Sequence, residues 1–361
     1  MSRTGFISVL GVGESRPSGA KAPLIAAPSG TAKAVPFPKP MCETSCDRLL
    51  HFWLVTALLI GAATACLADS PSQLLAAGRV DEVISTLNSQ PTDAESANLL
   101  CRAYFALEDW DRAEHFCKKA TALDPRNSRY HRWLAHVYGE KADRANFLAA
   151  ASLAGKTRDE FERAVELNPK DVDARVDLAE FYLEAPGIVG GGHEKARAQA
   201  KIIGATDPAR EHWVYARIAE KNHDMATAER EYRRMIEASH GDSEAWLNLA
   251  LFFRHQKRYD EMEQTLVKTS EAPMSKPDVL VDVAQNLYRT GRNLALAIRV
   301  LHRYLASGPV EEAPAFKAHY MLGTLLEKQG DRAEAAREYQ ASLSLAAHFG
   351  QAKQALNRVA P

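Results

Sequence analysis

The stretch "SANLLCRAYFALEDWDRAEHFCKKATALDPRN", residues 96–127, decides the fold of this chain. Its apolar residues recur at three and four positions and never alternate over a useful length. Leu100, Cys101 and Tyr104 mark one amphipathic segment, and Trp110, Ala113, Cys117 and Ala120 mark a second. That period is helical. The two segments are separated by a short turn near Glu108 and Asp109, and Pro125 closes the second. The spacing predicts two antiparallel helices joined tightly, each with one apolar face.

The same layout returns along the chain. "DARVDLAEFYLEA" (173–185) is followed by "EKARAQAKIIGATDP" (194–208), and "EAWLNLALFFRHQKRYDEMEQTLVKT" (244–269) and "AHYMLGTLLEKQGDRAEAAREYQASL" (318–343) repeat the whole pattern. Trp246, Leu249, Ala250, Phe253, Tyr259 and Leu266 hold the marked positions in one unit, and Leu322, Gly323, Gly330, Ala335 and Tyr339 hold them in the last. Pro169, Pro208 and Pro309 stand where Pro125 stands. This pattern resembles the tetratricopeptide repeat, a 34-residue helix–turn–helix unit. The resemblance implies an all-α fold, a right-handed α-α superhelix of about seven hairpins. One hairpin cannot bury its apolar face alone, and stacking makes the core continuous. A small residue on the first helix is expected to face a small residue on the second, with large residues filling the gap to the next unit.

Units are expected to begin near residues 94, 128, 172, 209, 243, 278 and 316, after a shortened unit in 71–91. "AAHFGQAKQALNRVA" is expected to form a capping helix that solvates the end of the stack. Two units depart from the pattern. The one starting near Ser128 has about ten extra residues around Phe147 and Leu148, expected as lengthened and packed helices. The next carries "APGIVGGGHEKA" (185–196), a glycine-rich insertion. Glycine loops that open a helix can cradle phosphate. Here no strand precedes the loop, and Lys195 does not follow a glycine directly as a phosphate-binding loop requires. Residues 186–192 therefore read as a turn, with Ile188 and Val189 folding back onto the core. A protein-binding protrusion and a small-ligand or phosphate site in the loop are the alternatives.

The bulk composition is that of a folded protein. Of 361 residues, 46% are hydrophobic and 25% charged, with a net charge of -1, so no global field favours nucleic acid. Residues 1–40 are rich in proline and small residues, and they read as disordered or as an extension upstream of the true start at Met41. Residues 41–68 carry Arg48 and His51 and then an uncharged run from Phe52 to Ala68, the order of an export signal or signal anchor. "ATAC" ending at Cys66 offers a second processing route, lipidation. Residues 69–361 form the repeat domain.

No nucleophile elbow, HExxH pair or CxxC pair occurs, and the histidines are scattered. The chain is expected to be non-enzymatic, with no cofactor and no metal. The resemblance implies a concave groove lined by first helices that holds a protein or peptide partner, with membrane contact only through an anchor or lipid. In that register Arg102, Arg129, Arg132, His136, Trp213, Arg217, Lys221, Arg254 and His255 face the groove. Asp173, Glu180 and Glu184 face it from the intervening unit. The arginines are suited to grip a partner's carboxylates, and Tyr104, Tyr138, Tyr182, Phe253 and Tyr288 read as core. The same register puts Cys101 and Cys117 at one height on facing helices, where either a disulfide or two buried thiols would fit.

Overall fold

The computed structural model describes residues 69–87 and 91–359. Residues 1–68, with the proline-rich segment, the apolar run and Cys66, lie outside the described residues. Among the described residues every regular element is helical.

Capping explains where the helices begin. The first full hairpin pairs α3 (Ala94–Ala106) with α4 (Trp110–Leu123), after a short pair α1 (Pro71–Ala76) and α2 (Val80–Leu87). Asp93 accepts from the Ser96 N–H at 2.8 Å and so satisfies an otherwise orphaned donor of α3. Asp109 does the same for α4, accepting from the Arg112 N–H at 3.1 Å. The residue before it, Glu108, has φ 62°, which reverses the chain in one step.

The remaining hairpins follow in order. They are α5 (Ser128–Arg144) with α6 (Phe147–Leu167), α7 (Val172–Glu184) with α8 (His193–Ile203), and α9 (Pro208–Lys221) with α10 (Met225–Ala238). Then come α11 (Ser243–His255) with α12 (Tyr259–Glu271), α13 (Val279–Thr290) with α14 (Leu294–Ser307), and α15 (Ala315–Gln329) with α16 (Arg332–Leu345). The last helix is α17 (Gly350–Val359). The fold is an α-solenoid of seven full hairpins, with first helices starting within one residue of the positions read from the sequence.

The core is made of several apolar clusters along the stack, the most extensive running from α9 to α17. Tyr104, Tyr138, Tyr182 and Phe253 are buried in it. The same polar link recurs inside two hairpins: Tyr232 donates to Glu220 and Tyr339 to Glu327, each at 2.8 Å. The small position on the first helix has two uses. In α3 it is Cys101, joined by a disulfide to Cys117 of α4 with a Cα–Cα distance of 5.1 Å. In α15 it is Gly323, where a Cβ would stand 2.6 Å from the Tyr339 ring. The expectation that small always faces small is corrected here, because the glycine makes room for an aromatic ring.

Two further expectations are corrected. Phe147 and Leu148 are not packed; they are 84% and 80% exposed. The extra residues lengthen α5 to 17 and α6 to 21, while the flanking α4 and α7 have 14 and 13. The tip of the long hairpin therefore has no neighbouring helix to pack on. Ile188 is 91% exposed, whereas Val189 alone folds back onto the core. The 3-10 turn Gly187–Val189 sends these two adjacent side chains to opposite sides.

The two ends of the solenoid meet. Leu74, Leu75, Val80 and Val83 of the opening pair share one apolar cluster with Phe316, Ala346, Phe349 and Ala352 of the closing helices. Asp81 accepts from the Ala347 N–H at 2.6 Å, and Glu108 accepts from Lys317 and from Gln351, both at 3.1 Å. Gly78 allows this approach: it has φ 75°, and a Cβ there would stand 2.8 Å from the Ala315 backbone nitrogen. The capping helix thus joins the stack to its own beginning besides solvating its end.

Candidate functional site: the cavity enclosed by the first helices

Six of the seven first helices, α5, α7, α9, α11, α13 and α15, together line a cavity of about 430 Å³. Helical spacing decides which residues reach it. On α7 the series Asp173, Asp177, Glu180 advances by four and then three positions, so all three lie on one face. On α13 Asp278 and Asp282, spaced by four, do the same. Val176, Leu247, Leu251 and Met321 give the cavity an apolar floor, and Trp213 stands in its wall with its indole N–H donated to Asn248 at 2.9 Å.

Three residues expected in the groove line this cavity: Arg132, Trp213 and Arg254. Asp173 and Glu180 line it too. The other expected groove residues are not among its lining, and most are held by neighbours. Arg102 is buried and forms a two-pronged ion pair with Glu311, one contact being Nε to Oε1 at 2.7 Å. Arg129 pairs with Glu95. Arg217 and Lys221 both grip Glu184, each at 2.6 Å. His136 is buried between the Trp133 and Phe161 rings, its Nε2 3.1 Å from Asp177. His255 stays near the surface, 3.9 Å from Glu220.

Three of the arginines lining the cavity are also engaged. Arg132 donates to Asp177 at 2.5 Å, Arg210 pairs with Asp173, and Arg254 donates to Asn286. Burial alone pushes the Asp177 carboxyl up, but the Arg132 charge and then His136 hold it well below the usual carboxylate range. Three other carboxylates behave oppositely. Burial raises Glu180 to about 7 against the opposing charge of Arg217, and raises Asp278 to about 6 against Lys276. Burial and then the charge of Asp278 raise Asp282 to about 7. Asp177, Asp278 and Asp282 escaped the sequence reading, although the four-residue spacing of each acidic pair was a visible signal.

The glycine loop has different chemistry from an anion cradle. Gly190 N–H donates to Gly187, Gly191 N–H to Pro186 and Gly192 N–H to Tyr182, so these three amides are occupied inside the turn. Lys195 donates to the Gly190 carbonyl at 2.8 Å and lies over the Tyr182 ring. The lysine closes the loop. Among the described residues no group of three or more His, Cys, Asp or Glu could hold a metal ion, and no helix is long and apolar enough to cross a membrane.

Solved structures similar to this chain include a tetratricopeptide repeat protein from Parabacteroides merdae, at 15% identity and TM-score 0.35, over 78% of this chain and 99% of that one. A MamA protein is similar at 16% identity and TM-score 0.33, over 49% of this chain and 90% of that one. The APC/C hetero-tetramer Cut9–Hcn1 is similar at 11% identity and TM-score 0.36, over 87% of this chain and 59% of that one. No curated protein matches. Two family models described as tetratricopeptide repeat match residues 74–137 and residues 215–265 and 284–355. The gap between 137 and 215 spans most of the two hairpins that depart from the regular spacing. Together the matches take in a little over half of the chain, which is a tetratricopeptide-repeat protein.

Proposed function

We propose that this chain is a non-enzymatic scaffold that holds a protein partner in the cavity enclosed by its first helices, and that it does so after export to a cell envelope. The cavity carries the reading. It combines an apolar floor with charged walls contributed by several consecutive hairpins, and its volume suits a short stretch of polypeptide. That repeats of this kind bind protein is an argument from the family. Export is supported by the uncharged run Phe52–Ala68 after Arg48. It is supported independently by the Cys101–Cys117 disulfide, a bond that persists in oxidising compartments.

Crosslinking in intact envelopes, with a photoreactive residue at Leu251 in the cavity and at exposed Arg230 as a control, tests the scaffold reading. One discrete partner crosslinked from Leu251 and not from Arg230 is the expected result, and no partner at Leu251 overturns it. Mass spectrometry of the mature N-terminus tests the route. A start after Ala65 or Ala68 is expected, whereas a diacylglyceryl group on Cys66 would make the protein an envelope-assembly lipoprotein instead.

A further inference from the structure

We propose that the cavity recognises its partner through a cationic side chain, an arginine or lysine, seated against Asp278 and Asp282. The proposal rests on the cavity being the partner site and gives that partner its chemistry. It reverses the sequence expectation, in which groove arginines grip carboxylates.

The reversal comes from which charges are already paired. Arg132 and Arg210 are paired with carboxylates, Arg254 is hydrogen-bonded to the Asn286 amide, and Arg289, which also lines the cavity, is exposed. The carboxylates of Asp278 and Asp282 have neither a hydrogen bond nor a close ion pair from another described residue, though both residues line the cavity. Asp278 is 9% exposed and stands at the N-cap of α13, yet its side chain makes no capping bond, unlike Asp109, Asp224 and Asp331 at the same position of other helices. Its carboxylate is therefore held away from its own helix and in the cavity wall. Asp282 lies one turn further along the same face.

The groups around the two acids do not neutralise them. Lys276 is drawn to Glu244 at 3.3 Å. Arg254 and Arg289 act on Asp282 only through space, and Glu244 and Glu312 add negative charge. Two carboxylates one helical turn apart, Asp278 buried and Asp282 half-buried, are costly to ionise together, which agrees with their raised pKa values. A guanidinium or ammonium group entering the cavity would relieve that cost and gain charge-assisted hydrogen bonds. Its aliphatic stem would lie on Leu247, Leu251 and Met321. A divalent cation fits less well, because no third ligand converges.

The test is selection of a random displayed-peptide library on the immobilised full chain, followed by titration of the enriched peptides. Enrichment in arginine and lysine is expected. Asp278→Asn with Asp282→Asn, which keeps both shapes and removes both charges, should weaken those peptides at least tenfold. Glu237→Gln with Glu271→Gln, a change of equal charge at exposed positions, should leave them unchanged. Binding should also weaken several-fold from pH 8 to pH 5, as the two acids protonate. Peptides enriched in aspartate and glutamate, or peptides that the Asn pair binds equally well, would overturn the proposal. If such peptides are nonetheless lost when Leu251→Trp fills the cavity, the cavity remains the partner site. Absence of enrichment on any variant would remove both readings.

Discussion

Arg102 donates from Nε to Glu311 at 2.7 Å across 209 positions of sequence, tying the first full hairpin to the segment before the last. Both side chains are largely buried, at 6% and 14% exposure. Removing one partner of a buried pair costs about 3–5 kcal/mol, because the other charge is left uncompensated. Opening the joint would let that charge hydrate, so Arg102→Ala is expected to part the two ends before it unfolds the helices. Small-angle scattering should show a larger radius of gyration, with faster amide exchange in α1, α2 and α17. An unchanged radius and exchange pattern would mean that the apolar cluster and the Asp81 and Glu108 contacts hold the ends together without this pair.

Arg129 and Arg132, alike in sequence, should respond differently to charge reversal. Arg129 is 37% exposed against a Glu95 that is 43% exposed, and such pairs contribute about 0–1 kcal/mol. Arg132 is buried on Asp177 and Asp173. Arg132→Glu would place three carboxylates together and should cost at least about 3 kcal/mol, the figure for breaking a buried pair. Urea titrations of the two single variants will separate them, and equal midpoints would contradict the buried position of Arg132.

In the glycine loop, Gly191→Ala should be the most damaging replacement. Its Cβ would stand 1.8 Å from the Ala185 carbonyl oxygen, so backbone must move. Gly190 has φ 100°, and its Cβ would meet only the flexible end of Arg158, so Gly190→Ala should cost about 1–2 kcal/mol. Gly187 has open space, and Gly187→Ala should be nearly neutral. Melting temperatures of the three variants check the order.

The Cys101–Cys117 disulfide closes a loop over a sequence separation of 16 and is buried on both sides. On the chain-entropy model a loop of that size adds about 3 kcal/mol. Cys101→Ser with Cys117→Ser should lower stability by about that amount, with helix content retained. Alkylation of protein unfolded directly from the envelope, without reductant, should leave both cysteines unmodified. Two alkylated thiols would show that the pair is reduced in the native compartment.

Stability should fall as pH rises from about 4 to about 7. Asp278, Asp282 and Glu180 titrate near 6, 7 and 7 when folded but near the ordinary carboxylate value when unfolded. The folded state then binds more protons, and the slope of stability with pH is negative until those groups ionise. His131, raised by its bond to Glu160 at 2.6 Å, acts in the same direction, since its contribution is lost as it deprotonates. Glu327, lowered to about 2 by Arg358, opposes them only in acid, where its contribution is lost as pH falls. Asp278→Asn with Asp282→Asn should flatten the decline between pH 5 and pH 8. A melting curve that stays flat in the unaltered protein would contradict the shifted acids.

Amphipathic period and unit spacing by themselves determined the helices and the stacking. A residue such as Leu249 or Ala297 has one face of one helix to occupy, and burial is short-ranged along the chain. The same register placed Cys101 opposite Cys117 and named Arg132, Trp213 and Arg254 as groove residues. Tertiary structure alone decided which charges in that groove are available. Arg102 finds Glu311, and Arg132 finds Asp177, across distances that no local pattern encodes. Whether a side chain is paired depends on a partner brought close by the curvature of the whole stack. Phe147, Leu148 and Ile188 were misread for a related reason: apolar character shows that a residue can be buried, and only the neighbouring helices decide whether there is anything to bury it against.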